Sequence, residues 1–155
     1  MNAIFAVNQV GGFGVSDTMP WPRSSNDLTR FRKITQGSTV IMGRGTWLSD
    51  MPRPLPNRRN VVLSKTLEDT RCEVYSSITD LLMNLDREET VFVIGGAETL
   101  WTLRSYITRA FITVFDHIER ADVTLDTSAW LQGFDLISRE RLDNHTFDTW
   151  AKSEI

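Results

Sequence analysis

Four stretches of the sequence carry residue types and spacings able to do chemistry. Asp27 stands near the start of an amphipathic pattern whose next turn presents Leu28 and Phe31. A carboxylate there either interacts with a helix macrodipole or, aimed into a cleft beside apolar neighbours, pairs with an amidine-like ring edge through two parallel hydrogen bonds. Arg58 and Arg59 follow Arg53-Pro54-Leu55-Pro56-Asn57, a turn stiffened by its two prolines. A stiffly held arginine is a receptor for a carboxylate; the other reading is a solvated basic turn. Gly43-Arg44-Gly45-Thr46 and Gly95-Gly96-Ala97 each follow an apolar run and open a helical pattern. Such junctions face backbone N–H groups toward anions, and Arg44 adds a planar cationic fork. The adjacent glycines let a flat ligand approach the main chain, although a tight turn uses the same residues.

Other chemistries lack their residues. No Gly-x-Gly-x-x-Gly follows a strand pattern, residues 37–43 have neither the spacing nor the lysine of a P-loop, and no nucleophile elbow occurs. His117 and His145 have no metal-ligand partners nearby in sequence, so no metal site is expected. The single cysteine, Cys72, excludes an internal disulfide and fits packing in a reducing compartment.

The elements that must position these residues alternate. Apolar runs at 3–7, 40–42, 61–63, 91–94 and 109–115, with a weaker one at 73–75, read as strands. The first runs into a loop containing Gly11, Gly12, Gly14 and Pro20. Leu28, Phe31 and Ile34 mark a short helix from Asn26, capped by residues 24–26 and stopped by Gly37. Further helices are expected at 79–85 and 97–103. Residues 134–139 and 146–152, separated by the turn residues Asp143-Asn144, form an antiparallel hairpin. The prediction is an α/β fold: a mainly parallel twisted sheet of about eight strands flanked by helices, with the hairpin added at one edge. Ligands in such sheets bind beyond the C-terminal strand ends, so the loops after Val7, Met42, Leu63, Ile94 and Val114 should surround the site.

With 155 residues, 41% hydrophobic and 24% charged, the chain fits one domain spanning residues 1–155. No stretch approaches the ~20 apolar residues of a membrane span, and the N-terminus has no signal-peptide pattern, so a cytoplasmic location is expected. The net charge of -3 argues against a nucleic-acid partner. It conceals an asymmetry: residues 1–63 carry +5 and the remainder -8. A basic half suits a small anionic ligand; an unevenly charged surface is the alternative.

Taken together and in order, these blocks resemble dihydrofolate reductase over nearly the whole chain. The resemblance rests on Met19-Pro20-Trp21, on Asp27-Leu28 with Phe31, on residues 40–47 (VIMGRGTW), on residues 53–60 (RPLPNRRN) and on Val93-Ile94-Gly95-Gly96. It implies reduction of 7,8-dihydrofolate by NADPH, with Asp27 holding the pterin and aiding protonation at N5, Thr113 orienting Asp27, and Trp21 near the proton path. Ile4, Leu28, Phe31 and Leu55 would enclose the substrate, and Arg58 would grip its glutamate carboxylate. Ala6, Gly14, Met19, Ile94, Gly95, Gly96 and Leu100 would meet the nicotinamide half of NADPH. Gly43, Arg44, Gly45, Thr46, Leu63, Ser64, Lys65, Ala97 and Glu98 would meet its phosphates and adenosine. The resemblance also implies antifolate inhibitors as ligands, a monomer, and a loop over residues 9–19 closing on the nicotinamide.

Some positions depart from the family pattern. Leu100 stands where an aromatic residue lies against the nicotinamide, Gly45 replaces a polar or basic side chain, and Ala97 a third glycine. Asn57 replaces the glycine before Arg58, a mild change because asparagine tolerates the left-handed conformation. Two rival readings share the fold: a pyrimidine reductase of flavin biosynthesis, against which Asp27 and Arg58 argue, and a non-catalytic pterin- or nucleotide-binding protein, which Leu100 alone supports.

Overall fold

The computed structural model describes residues 1–14, 25–116 and 123–153. In chain order the elements are β1 (Asn2–Asn8), β2 (Gly12–Gly14), α1 (Ser25–Thr35), β3 (Thr39–Gly43), α2 (Arg44–Trp47), β4 (Arg59–Leu63), β5 (Glu73–Tyr75), α3 (Ile78–Met83), β6 (Val91–Gly95), α4 (Ala97–Thr102), β7 (Arg109–Phe115), β8 (Val123–Thr124), α5 (Thr127–Trp130), β9 (Phe134–Arg141) and β10 (His145–Lys152). One eight-stranded sheet runs β5-β4-β3-β6-β1-β7-β10-β9, and β2 pairs with β8 in a small separate ribbon. Pairing is parallel from β5 to β7 and antiparallel where β10 joins β7 and β9. The expected sheet and its C-terminal hairpin are therefore present. The ribbon, α5 and a 3₁₀ turn at Arg104–Tyr106 were not expected, because segments of two to four residues are too short to show a periodicity.

Strand alternation divides the core between two faces. Ala3, Phe5 and Val7 of β1, Ile41 of β3, Val61 of β4 and Val93 of β6 pack on one side with Leu100, Leu103 and Trp130. Ile4, Val40, Met42, Val62 and Phe92 pack on the other with Trp47 and Leu55, and α1 lays Phe31 and Ile34 against them. Buried continuously, these strands form almost unbroken apolar runs, as parallel strands covered on both faces require.

Local chemistry sets the chain's turns. Gly37 ends α1 at φ +73°, and its N–H donates to Asn57 O at 3.0 Å while Arg59 N–H donates to Ser38 O at 3.1 Å. The helix end is thereby stitched to the proline turn. Asn57 itself takes φ +60°, the left-handed conformation expected of a residue standing in for glycine. Behind that turn the buried Asn60 accepts from Leu55 N–H and donates to the carbonyls of Leu55 and Arg58, at 2.9, 2.9 and 3.0 Å.

Candidate active site

An open cleft of about 1340 Å³ lies along the α1 face of the sheet. A small-molecule pocket usually occupies ~300–1,000 Å³, so this cleft has room for two ligands side by side. Its floor follows from strand parity: Ile4 and Ala6 on β1, Ile94 on β6 and Thr113 on β7 all project to the same side and line it. Ala6 pairs with Thr113, and Thr113 with Phe147 of β10, so three neighbouring strands place these side chains in one row.

Asp27 enters from α1. Thr113 Oγ1 donates to its Oδ1 at 2.6 Å, and Arg30, one helical turn on, approaches the same oxygen at 3.5 Å. Both side chains of this ion pair are 16% exposed. Leu28 and Phe31 from α1 and Leu55 from the proline turn form the apolar wall beside it. At the far end of that wall Arg58 Nη1 donates to Thr35 Oγ1 at 3.0 Å and Nε to Pro56 O at 2.9 Å. Burial, and secondarily the nearby Arg32, lowers the Arg58 guanidinium pKa from its usual value. That is the direction of a desolvated cation beside a like charge.

The two glycine junctions, far apart in sequence, meet in the other half of the cleft. Met42 pairs with Gly95 across β3 and β6. A Cβ on Gly95 or Gly96 would come 3.5 or 3.6 Å from Thr46 Oγ1, and one on Gly43 would lie 2.6 Å from Thr99 Oγ1. The Gly95–Gly96 peptide is cis, and Gly95 has φ +137°, a region open to glycine. Gly96 lines the cleft with Ala97, Glu98 and Thr99 at the start of α4, whereas Gly95 lies beneath it against the Phe13 ring. Gly43, Arg44, Gly45 and Thr46 border the same lobe, as do Leu63 at the end of β4 and Ser64 and Lys65 after it. Ser64 Oγ accepts from the N–H groups of Thr66 and Leu67 at 3.2 and 3.1 Å, which shapes that loop. Ser77, after β5, completes this rim of hydroxyls and cations, with Glu98 its one acid among the described residues. Such a donor set fits a dinucleotide phosphate.

One expected contact is corrected. Leu100 has no exposed surface and belongs to the core on the opposite face. Its side chain does not line the cleft. The reason is helix phase: Leu100, and Leu103 just past the end of α4, pack into the core, and Trp130 Nε1 donates to Leu100 O at 3.1 Å. Trp101 cannot substitute, because it is 44% exposed on the outer side. Gly14 ends β2, paired with Val123, which lines the cleft. Met19 and Trp21 lie outside the described residues, as does much of the expected closing loop.

Arg30 and Phe147 are cleft residues that the sequence reading missed. The position of Arg30, three residues after Asp27, was a usable signal; Phe147 depended on the register of the last strand. Arg59, adjacent to Arg58, faces away and binds Glu73 and Glu89.

A family model described as dihydrofolate reductase matches residues 1–152. Dihydrofolate reductase type 8 of Escherichia coli is 30% identical over 165 aligned residues, covering 100% of this chain and 97% of its own length. The dihydrofolate reductase of Bacillus subtilis (strain 168) is 39% identical over 132 residues, covering 82% and 77%. A solved structure described as dihydrofolate reductase from Enterococcus faecalis complexed with NADP(H) and RAB-propyl superposes with a TM-score of 0.86 at 25% identity, covering 99% of this chain and 96% of that one.

Proposed function

The chain belongs to the dihydrofolate reductase family, and from that premise we propose how its own residues carry the NADPH-dependent reduction of 7,8-dihydrofolate to 5,6,7,8-tetrahydrofolate. The observation that carries the assignment is Asp27, held by Thr113 at 2.6 Å in the cleft that Arg58 and Gly96 also line.

NADPH supplies the hydride, which reduces the pterin's C6=N5 bond at C6. The protein must hold the pterin, help a proton reach N5 and keep water from competing. Asp27 accepts the ring N–H and amino group of the pterin, a paired contact that fixes the ring over Ile4 and Ala6 and favours protonation at N5. Thr113 is a positioning residue, because its hydroxyl sets the orientation of Asp27 without reaching the reacting atoms. Leu28, Phe31 and Leu55 enclose the aminobenzoyl ring, and Arg58 binds the glutamate α-carboxylate. Its two hydrogen bonds to Pro56 O and Thr35 Oγ1 support this role by presenting the guanidinium already oriented.

Ala6, Ile94 and the bare backbone of Gly96, which line the cleft, would hold the nicotinamide. The donor set around Arg44, Thr46, Ser64 and Lys65 holds the phosphates, with the 2'-phosphate favouring NADPH over NADH. The opposite side of the cleft, where a 2,4-diaminopyrimidine would meet Asp27, is the antifolate site. Trp21 and Met19 keep their assigned roles through the family resemblance alone. The reading takes residues 1–155 as one domain, supported by the single large sheet, and as a monomer through the family resemblance alone. Among the described residues no helix is long and apolar enough to cross a membrane, and a cytoplasmic location accords with the free Cys72.

The test is stoichiometry. Incubation with dihydrofolate and either dinucleotide should consume NADPH and form tetrahydrofolate one for one, with NADH used far less. NADPH loss without tetrahydrofolate would overturn the assignment.

A further inference from the structure

His145 is almost completely buried, 1% exposed, and the mechanism above does not use it. It opens β10 opposite Phe115, whose ring centroid is 5.2 Å from its own. Its Nδ1 lies 2.7 Å from Asn144 Oδ1 and its Nε2 3.3 Å from Arg30 Nη2. A guanidinium can only donate, so Nε2 accepts, and the ring is neutral with its proton on Nδ1 donated to Asn144. The same guanidinium stacks over Phe147 at 4.2 Å and places Nη1 3.5 Å from Asp27 Oδ1. Arg30 thus spans from a buried histidine to the pterin-binding carboxylate, held flat by an aromatic ring.

We propose that Arg30 is a positioning residue for Asp27 and that His145 governs it, holding Arg30 in place when neutral and expelling it when protonated. The proposal rests on the assignment of Asp27 as the pterin ligand. Asp27 Oδ1 is held from two sides, by Thr113 from the sheet and Arg30 from its own helix. A protonated Nε2 would turn its only acceptor for Arg30 into a donor and set two cations 3.3 Å apart. Arg30 would then swing off, and the carboxylate would lose its hold from that side.

The other charges facing His145 do not remove this conflict. Asp27 on α1 and Asp116 after β7 favour its protonation, while Arg30 on α1 and Arg141 on β9 oppose it. Burial is the largest influence and Arg30 the next, and the net effect lowers the His145 pKa below its ordinary value of 6.5. Release therefore belongs to pH below 6.5.

The direct test follows the imidazole nitrogens of His145 by ¹⁵N NMR through a pH titration of the full chain. The proposal predicts the Nδ1–H tautomer and a titration below 6.5. Arg30→Met should move that titration upward and Asp27→Asn downward. An unchanged titration in Arg30→Met would overturn the contact, whether or not dihydrofolate is the substrate, so a failure here is distinct from a failure of the functional assignment. The kinetic test compares wild type with His145→Gln, which keeps an acceptor but does not titrate. On acidification through the His145 titration, wild-type kcat/KM for dihydrofolate should fall about tenfold relative to the variant, the size of one lost charge-assisted hydrogen bond. The change should appear in KM for dihydrofolate and not in KM for NADPH. Parallel pH profiles would refute control by His145. If His145→Gln does not fold, Arg30→Met replaces it, and persistence of the acid fall in that variant refutes the same step.

Discussion

Thr113 Oγ1 donates to Asp27 Oδ1 at 2.6 Å, a contact between residues 86 positions apart in the sequence. It joins the edge of α1 to the floor of the cleft. Replacing Thr113 with valine keeps the shape and removes the donor. We expect a loss in kcat/KM for dihydrofolate of about tenfold, equal to roughly 1.4 kcal/mol, with KM for NADPH unchanged. An equal rise in both KM values would show that the bond supports the fold and not the carboxylate.

Arg58 should discriminate between parts of the substrate. Arg58→Leu should weaken dihydrofolate binding by about 2–5 kcal/mol, the range for truncating a buried charged pair, and leave affinity for a pterin without the glutamate tail intact. Equal weakening for both ligands would place the carboxylate elsewhere.

Arg59, although its neighbour, has a structural task. It grips Glu73 through Nε and Nη2 at 2.6 and 2.7 Å, Glu89 through Nη1 at 3.0 and 2.9 Å, and Asn84 O at 2.9 Å. These bonds raise the Arg59 pKa and lower that of Glu73; Glu89, which burial pushes up, is lowered on balance by the Thr39 hydroxyl, the Asp86 N–H and then Arg59. With the side chain 31% exposed, solvent screening reduces the effect, and Arg59→Met should cost about 1–2 kcal/mol in a denaturant titration without changing KM for dihydrofolate. A fall in substrate affinity would contradict this division of labour.

His145 also gives stability a pH dependence of known sign. Its pKa is lower folded than unfolded, so below about 6.5 the unfolded chain binds the additional proton. Its contribution is full above that value and declines as pH falls. Unfolding free energy measured from neutral to mildly acid pH should decrease more steeply for wild type than for His145→Gln. Identical slopes would mean that His145 titrates alike in both states.

The sequence was most informative where local physics decides the outcome. The end of α1 at Gly37, the left-handed Asn57 and the paired glycines at the end of β6 each follow from conformational limits of a single residue. So does the sorting of Ile4, Ala6 and Ile94 onto one face by strand parity. Contacts set by phase or register were not legible. Leu100 was expected beside the cofactor, but α4 turns that position into the core beneath Trp130. Phe147 and His145 reach α1 only because β10 pairs with β7 in one particular register. Asn60 stood at the end of the block 53–60 with no role assigned to it, yet its amide holds the turn that presents Arg58.

The most direct test of the account measures dihydrofolate-dependent loss of NADPH absorbance for wild type and Asp27→Asn across pH. Wild type should turn over, and the variant should lose at least about 100-fold at neutral pH, the lower end for removing acid–base assistance. Activity of the variant should recover toward acid pH, where solvent supplies the N5 proton. Turnover by Asp27→Asn equal to wild type at neutral pH, or no dihydrofolate-dependent oxidation by wild type, would contradict it.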